Sequence, residues 1–340
     1  MMQFKAIANI PQVEFAFHPH SKGIIQFIGA FIFGSCPKNS YKYLLKNLYN
    51  DLYNQGYSLV IYKFPCNPLQ FNHWSVAINL LISVYQARVG IIKELHKNNS
   101  KELEFYANDE NYYWLGHSLG CKYILLLELL SDNDISRRDA VLQSSLREKY
   151  LSNAFSSISR ADSARTIAQR EITNLLKKPC SLEPFIRNQP SLLLAPEINN
   201  SVQILNFSVS PSSRLGFPNR REMQNLIINS SQLFKLMGII SFTWDGIARD
   251  DVEFLRTQLR CRKFLPFLHK VFFGWHFTPQ GVHVEKLVSC IDLILHELRQ
   301  RQLKGIAQAV QCEDQQSCYE GNELKQQAGC IKNHDLNSLI

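Results

Sequence analysis

Apolar and polar positions follow two periods along this chain, and each change of period marks an element. Runs rich in Ile, Val, Phe and Leu cover Val13–Phe17, Gly23–Phe33, Tyr57–Phe64, Tyr112–Leu115, Ser191–Pro196, Gly238–Trp244 and Lys270–Trp275, and each predicts a strand. Helical spacing fills the intervals. Tyr41–Tyr53 sets Leu44, Leu45, Leu48 and Leu52 on one face, and His73–Lys97 predicts a long amphipathic helix. Cys121–Leu130 is apolar on nearly every side, the pattern of a buried helix. Glu222–Leu236, Asp250–Leu259 and His283–Leu303 complete the set, and Asn98–Glu110 reads as a polar loop. Strands alternating with helices predict an α/β fold with a mostly parallel central sheet flanked by helices.

Two stretches break the alternation. Residues 131–189 are charged and Ser-rich with a helical piece at Ala164–Lys177, too long for an ordinary connection. They are expected to form an inserted lid or cap, with a second insertion over about 207–237. The main domain then runs over 1–304, and 305–340 is a polar tail without apolar period, expected to be poorly ordered.

Gly116-His117-Ser118-Leu119-Gly120 stands between the predicted strand at Tyr112–Leu115 and the buried helix. A serine on a tight strand-to-helix turn, bracketed by glycines, is the geometry that exposes a nucleophilic hydroxyl in α/β-hydrolases. The five-residue pattern alone is common, and a serine can simply cap a helix, so the flanking strand and helix carry the reading. Leu119 would offer its backbone N–H to an oxyanion at the helix N-terminus. The second donor is expected from the turn after an earlier strand, at Ala30 or Phe31, beside Gly29.

A general base and an orienting acid should follow the serine, each just beyond a strand. Asp245 follows the run ending at Trp244, and His276 follows the run ending at Trp275. Asp250, Asp251 and Glu253 compete for the acid but fall where the next helix opens. His283 opens the last helix, and His269 is expected to precede its strand. His117 is read as packed by the turn and Cys121 as a small apolar core residue.

Composition narrows the class. With 45% apolar and 19% charged residues the chain is that of a folded protein. The net charge of +8 is mostly scattered; its densest stretch, Arg256–Lys270 with Arg260, Arg262 and Lys263, suggests at most weak peripheral contact with a membrane. Nine widely spaced cysteines without a C-x-x-C pair read as thiols of a reducing compartment. Cys312, Cys318, Cys330 and His334 fit no zinc spacing, so no metal is expected. No signal peptide pattern and no run of about 18 apolar residues stands out, and a cytoplasmic location follows as an expectation. Phosphate loops, dinucleotide fingerprints and nucleic-acid modules are missing, so neither an organic cofactor nor a nucleic-acid partner is expected. Oligomeric state is not legible.

Gly116–Lys122, Phe27–Phe31, Asn188–Ser191 with Ala195-Pro196, and Trp275–Pro279 together resemble the family called domain of unknown function 1350, across roughly Val13–Leu295. That resemblance implies an α/β-hydrolase fold. The family's late Gly-Asn-His-x-Thr-Pro motif maps onto Gly274–Pro279 with Trp275 in place of the asparagine, which leaves His276 in register. Its acidic turn tends to hold two aspartates; here Asp245 matches one, and Ala248 stands where the second would be. Residues 131–189 resemble the family least. The expectation is a serine hydrolase cleaving an ester or thioester, its small-molecule acyl substrate apolar, through an acyl-Ser118 intermediate. The alternative is an inactive hydrolase-fold protein used for binding or assembly.

Overall fold

The computed structural model describes residues 2–305 except 9, 32, 51–55, 64–71, 99, 199–201, 205–206, 210–216, 231–232 and 261–266. Two units are distinguished, Met1–Leu298 and Arg299–Ile340. Of the second, only 299–305 are described, as helix, and the rest of the tail lies outside the described residues.

In chain order the strands are β1 (Lys5–Ile7), β2 (Ile10–Ala16), β3 (Ser21–Ile28), β4 (Gly56–Tyr62), β5 (Tyr112–His117), β6 (Ser191–Leu194), β7 (Val202–Ile204), β8 (Phe207–Val209), β9 (Met237–Phe242) and β10 (Leu268–Phe272). The helices are α1 (Pro37–Ser40), α2 (Lys42–Tyr49), α3 (His73–Lys97), α4 (Leu103–Ala107), α5 (Leu119–Leu129), α6 (Ile135–Ser145), α7 (Glu148–Leu176), α8 (Arg220–Asn229) and α9 (Arg249–Arg260), followed by α10 from residue 285. Eight strands form one sheet in the order β1-β2-β4-β3-β5-β6-β9-β10. β2 is antiparallel to both its neighbours, and every pair from β4 to β10 is parallel. β7 and β8 pair antiparallel, apart from this sheet.

Strand alternation divides the core between the two faces of the sheet. Ile24 and Ile28 of β3 join α3, α5 and α7 on one side, while Ile25 and Phe27 join α2 and α10 on the other. Registers of Ile28 with Gly116, His117 with Leu194, Leu194 with Ile240 and Phe242 with Phe272 bring five parallel strands to a common C-terminal edge. Loops leaving that edge meet one another, which is where open α/β sheets bind ligands.

α3 spans the residues its pattern predicts. It is long and apolar enough to cross a membrane by composition, but 72% of its most apolar window is buried, and Trp74, Ile78, Leu81, Val84 and Ile92 belong to the core. The predicted strand Gly23–Phe33 stops at Ile28, because Gly34 donates back to the Ala30 carbonyl and closes a turn. The loop Asn98–Glu110 contains α4, capped at its far end by Asn108. Residues 131–189 are more regular than their sequence suggests. α7 buries Ala154, Ile158, Ala161, Ala168 and Ile172, a sparse apolar stripe, and packs along α3. In 207–237, α8 ends at Asn229 rather than Leu236, where Ser230 turns its hydroxyl onto the Leu226 carbonyl. His269 lies inside β10, bonded to Ser241, rather than before it.

One buried ionic junction ties α3 to the start of β5. Arg88 lies 3.8 Å over the Tyr112 ring and pairs with Asp109, whose second oxygen accepts the Glu183 N–H at 2.5 Å. Asp109→Ala leaves the buried guanidinium without its counter-charge, and should lower stability by about 3–5 kcal/mol. Urea denaturation followed by circular dichroism checks this as a fall in midpoint at unchanged slope.

Candidate active site

The chain leaves β5 at His117 and enters α5 at Leu119, so Ser118 makes the whole turn. Its φ of 56° and ψ of −122° are a conformation that non-glycine residues avoid. Three bonds hold it there: Ser118 N–H donates to the Leu194 carbonyl at 2.9 Å, and its own carbonyl accepts from Cys121 at 3.0 Å and Glu197 at 3.3 Å. The glycines make room. A Cβ on Gly120 would stand 2.3 Å from the Ile28 carbonyl oxygen, and one on Gly116 would stand 3.0 Å from the Cys121 nitrogen.

Ser118, Asp245 and His276 meet as the sequence predicts. His276 Nε2 lies 2.9 Å from Ser118 Oγ, and His276 Nδ1 lies 2.9 Å from Asp245 Oδ2. All three are buried. Asp245 Oδ1 accepts the Ile247 and Ala248 N–H groups at 2.9 Å each, so the carboxylate is fixed at both oxygens. Burial alone would raise its pKa; the hydrogen bond and charge of His276 and the two backbone donors outweigh that and hold it below the ordinary value. Asp245 is therefore ionised and orients the ring of His276 through Nδ1–H, which turns Nε2 to the serine.

The competitors lie elsewhere. Asp251 is buried but accepts the Ile198 N–H at 2.9 Å and pairs with Arg220 at 3.0 Å. Asp250 and Glu253 are exposed on α9, and His283 is exposed ahead of α10.

The two oxyanion candidates from the early turn separate. Ala30 N–H donates to Tyr41 Oη at 2.8 Å, which removes Ala30 from that role. Phe31 remains, together with Leu119 at the first position of α5, where an N–H has no intrahelical acceptor. Tyr41 also accepts from Gln280 Nε2 at 3.2 Å, so both its lone pairs are used and its proton must go to His117 Nδ1, 2.8 Å away. His117 then carries its hydrogen on Nε2 and donates it to the His276 carbonyl at 2.8 Å. Burial and the neighbouring His276 push the His117 pKa down to about 3, which keeps this ring neutral. His117 is thus more than packing: with Tyr41 it sets the backbone height of His276. The sequence marked the histidine only as part of the turn, and Tyr41 only as the start of a helix.

Glu197 was not foreseen at all. It follows β6 after Ala195, whose φ of 47° bends the chain back, and its Oε2 stands 3.1 Å from Ser118 Oγ. Burial, ahead of the lowering effect of the Ser118 hydroxyl, pushes its pKa up to about 8. Lys122, one turn into α5, donates to the Pro218 carbonyl at 2.9 Å, and burial pulls its pKa down to about 7. The only sequence signal for Glu197 was an acid just beyond a strand on the shared edge. No group of three or more potential metal ligands occurs among the described residues. Tyr41→Phe would strand the Ala30 N–H and His117 Nδ1 in a dry interior and should cost about 1–3 kcal/mol of stability, read by urea denaturation.

A search of curated proteins finds no match to this sequence. Among solved structures the chain is similar to a putative carboxylesterase from Lactobacillus plantarum WCFS1, at 14% identity and TM-score 0.44, over 88% of this chain and 98% of that one. It is similar to esterase B from Lactobacillus rhamnosis at 11% identity and TM-score 0.47, over 90% of this chain and 88% of that one. It is similar to the thioesterase domain from the curacin biosynthetic pathway at 12% identity and TM-score 0.42, over 87% of this chain and 99% of that one. The strand order and the serine turn between β5 and α5 are those of an α/β-hydrolase fold. Over residues 14–164 this chain matches the family described as protein of unknown function (DUF1350), a stretch that holds the Phe27–Phe31 and Gly116–Lys122 motifs and ends before those at 188–196 and 275–279.

Proposed function

We propose that the protein is a serine hydrolase that cleaves an ester or thioester of an apolar acyl group. The observation that carries the reading is the unbroken chain Ser118–His276–Asp245, two contacts of 2.9 Å, mounted on a turn with strained backbone. An inactive binding protein has no need to keep three separate loops in that register.

The steps follow from the geometry. Ser118 Oγ attacks the acyl carbon while its proton passes to His276 Nε2, and Asp245 stabilises the imidazolium formed. The tetrahedral oxyanion is met by the N–H groups of Leu119 and Phe31, reinforced by the N-terminus of α5. Collapse expels the alcohol or thiol, which takes the proton from His276, and water repeats the sequence on the acyl-Ser118 ester.

Support for an apolar substrate comes from what surrounds the base. Trp244, Phe273, Trp275 and Phe277 are 58%, 70%, 67% and 49% exposed, all within four residues of Asp245 or His276 in the chain. Phe277 sets its ring edge-on to His276 with centroids 5.3 Å apart, and Phe33 packs on its other side at 5.9 Å. Exposed aromatic surface of this kind is costly unless it meets an apolar ligand. Cys36, Cys121, Cys180 and Cys290 are free thiols, which favours a reducing compartment such as the cytoplasm.

Labelling with a fluorophosphonate should modify the wild-type chain and spare Ser118→Ala; equal labelling of the two would remove Ser118 from the mechanism. His276→Ala and Asp245→Asn should each lower kcat on a p-nitrophenyl ester by about 10³-fold or more with the melting transition retained. Phe277→Ala should raise KM for an octanoyl ester about tenfold, the equivalent of ~1.4 kcal/mol of apolar contact, while changing KM for the acetyl ester little. Parallel Michaelis curves for the two esters check the difference.

A further inference from the structure

Ser118 Oγ carries one proton and stands within hydrogen-bond distance of two groups that would both accept it: His276 Nε2 at 2.9 Å and Glu197 Oε2 at 3.1 Å. A general base is the neutral imidazole, and with its Nδ1–H given to Asp245 that ring has only a lone pair at Nε2 to offer the serine. If the serine donates to the base, the contact with Glu197 can be a hydrogen bond only when the carboxyl group supplies the hydrogen. We propose that Glu197 works as a carboxylic acid that donates its proton to Ser118 Oγ, and that its ionisation disables the nucleophile. The inference rests on the serine-hydrolase reading and adds a second side chain, beside His276, in contact with the reacting oxygen.

Glu197 is held in this place rather than resting there. The left-handed turn at Ala195 redirects the chain, the Glu197 N–H donates to the Ser118 carbonyl at 3.3 Å, and the next N–H, of Ile198, is taken by Asp251 at 2.9 Å. Its side chain and its backbone therefore both bond the nucleophile residue.

The charges around it set which form prevails. Asp251 faces Glu197 from α9 and Asp245 from the loop after β9, and both disfavour a further negative charge; Lys122 faces it from α5 and favours one. Arg220 occupies Asp251 from the other side, and Lys122 is itself driven by burial toward its neutral form. Burial remains the largest influence, so the acid form extends up to about pH 8. Glu197 and Lys122 titrate as a coupled pair, and the alkaline transition belongs to both.

Two consequences make the ionised form inactive. A carboxylate competes with His276 for the hydroxyl proton, and its charge opposes the oxyanion that forms on the adjacent carbon. The acid form does the reverse: it leaves the hydroxyl proton to the base and adds no charge at the site. A Ser–His–Asp site without such a neighbour gains activity as its histidine loses a proton and then stays level, so the expected signature is a fall at alkaline pH.

The test is the initial rate at which a short-chain alkyl fluorophosphonate modifies Ser118, measured from pH 6 to pH 9.5 with circular dichroism at each point. The reaction forms a P–Oγ bond, expels fluoride and sends the hydroxyl proton to His276, so it reports the nucleophile without a natural substrate. The wild-type rate should fall about tenfold between pH 7 and pH 9, as a group titrating near 8 requires. Glu197→Gln keeps an N–H donor without a charge and should stay level over that range; Glu197→Ala should also stay level, and serves if the glutamine variant does not fold. A wild-type rate that stays level to pH 9.5, or an alkaline fall that persists in a folded Glu197 variant, overturns the inference and leaves the serine nucleophile standing. A wild-type chain that is folded but unlabelled at every pH overturns both.

Discussion

A side chain cannot be accommodated at Gly120, and most of the site depends on that. The helix α5 begins so close to the end of β3 that a single added carbon would stand 2.3 Å from the Ile28 carbonyl oxygen. This contact lets the chain reverse from strand to helix within one residue, and that residue, Ser118, has to adopt a positive φ of 56°. A nucleophile mounted this way has little freedom to turn aside, because the turn is pinned by Leu194, Cys121 and Glu197 rather than by its own side chain. The cost of the strained backbone, of order 1–3 kcal/mol, is offset by the buried strand and helix that flank it. Both are almost wholly apolar and sit in the centre of the sheet and against it.

From that fixed point the rest is a matter of height and orientation. His276 arrives from the edge strand β10, none of whose residues is fully buried, and would be the most mobile of the three groups if only its ring were held. The relay from Ala30 through Tyr41 and His117 to its carbonyl ties it to the interior. Each donor in this relay has one acceptor, and the neutral His117 needs both its nitrogens to complete it. A protonated His117 would present a hydrogen to Tyr41 where a lone pair is required, so the depressed pKa and the hydrogen-bond pattern have the same cause in burial.

A cluster of buried charge lies near Ser118: Lys122, Glu197, Asp251 and Glu222, the last two paired with the half-buried Arg220 and Arg147. Such groups contribute little net stability, since the cost of removing them from water consumes what their pairing returns. Of these groups Glu197 touches the Ser118 hydroxyl, and the others act on it through charge, Asp251 and Lys122 directly.

The sequence by itself determined seven of the eight strands of the sheet, all but β1, together with the turn and the order of Ser118, Asp245 and His276. Those rest on local rules: alternation over four to eight residues, helical spacing, and two glycines bracketing a serine. Asp245 and His276 were legible because each follows directly on an apolar run whose end fixes where the chain emerges. α7 was only partly legible, because its buried stripe over 29 residues consists of Ala154, Ile158, Ala161, Ala168 and Ile172, too sparse to stand out among the polar positions. What tertiary structure alone decided are the contacts between distant segments. Glu197 lies 79 residues from Ser118 in the chain and His117 lies 76 from Tyr41, and no periodicity connects such pairs. Ala30 and Phe31 were indistinguishable as backbone donors until the Tyr41 hydroxyl was seen to occupy one of them. Hydrogen-bond direction depends on which lone pairs are already taken, and that is settled only where the strands bring their ends together.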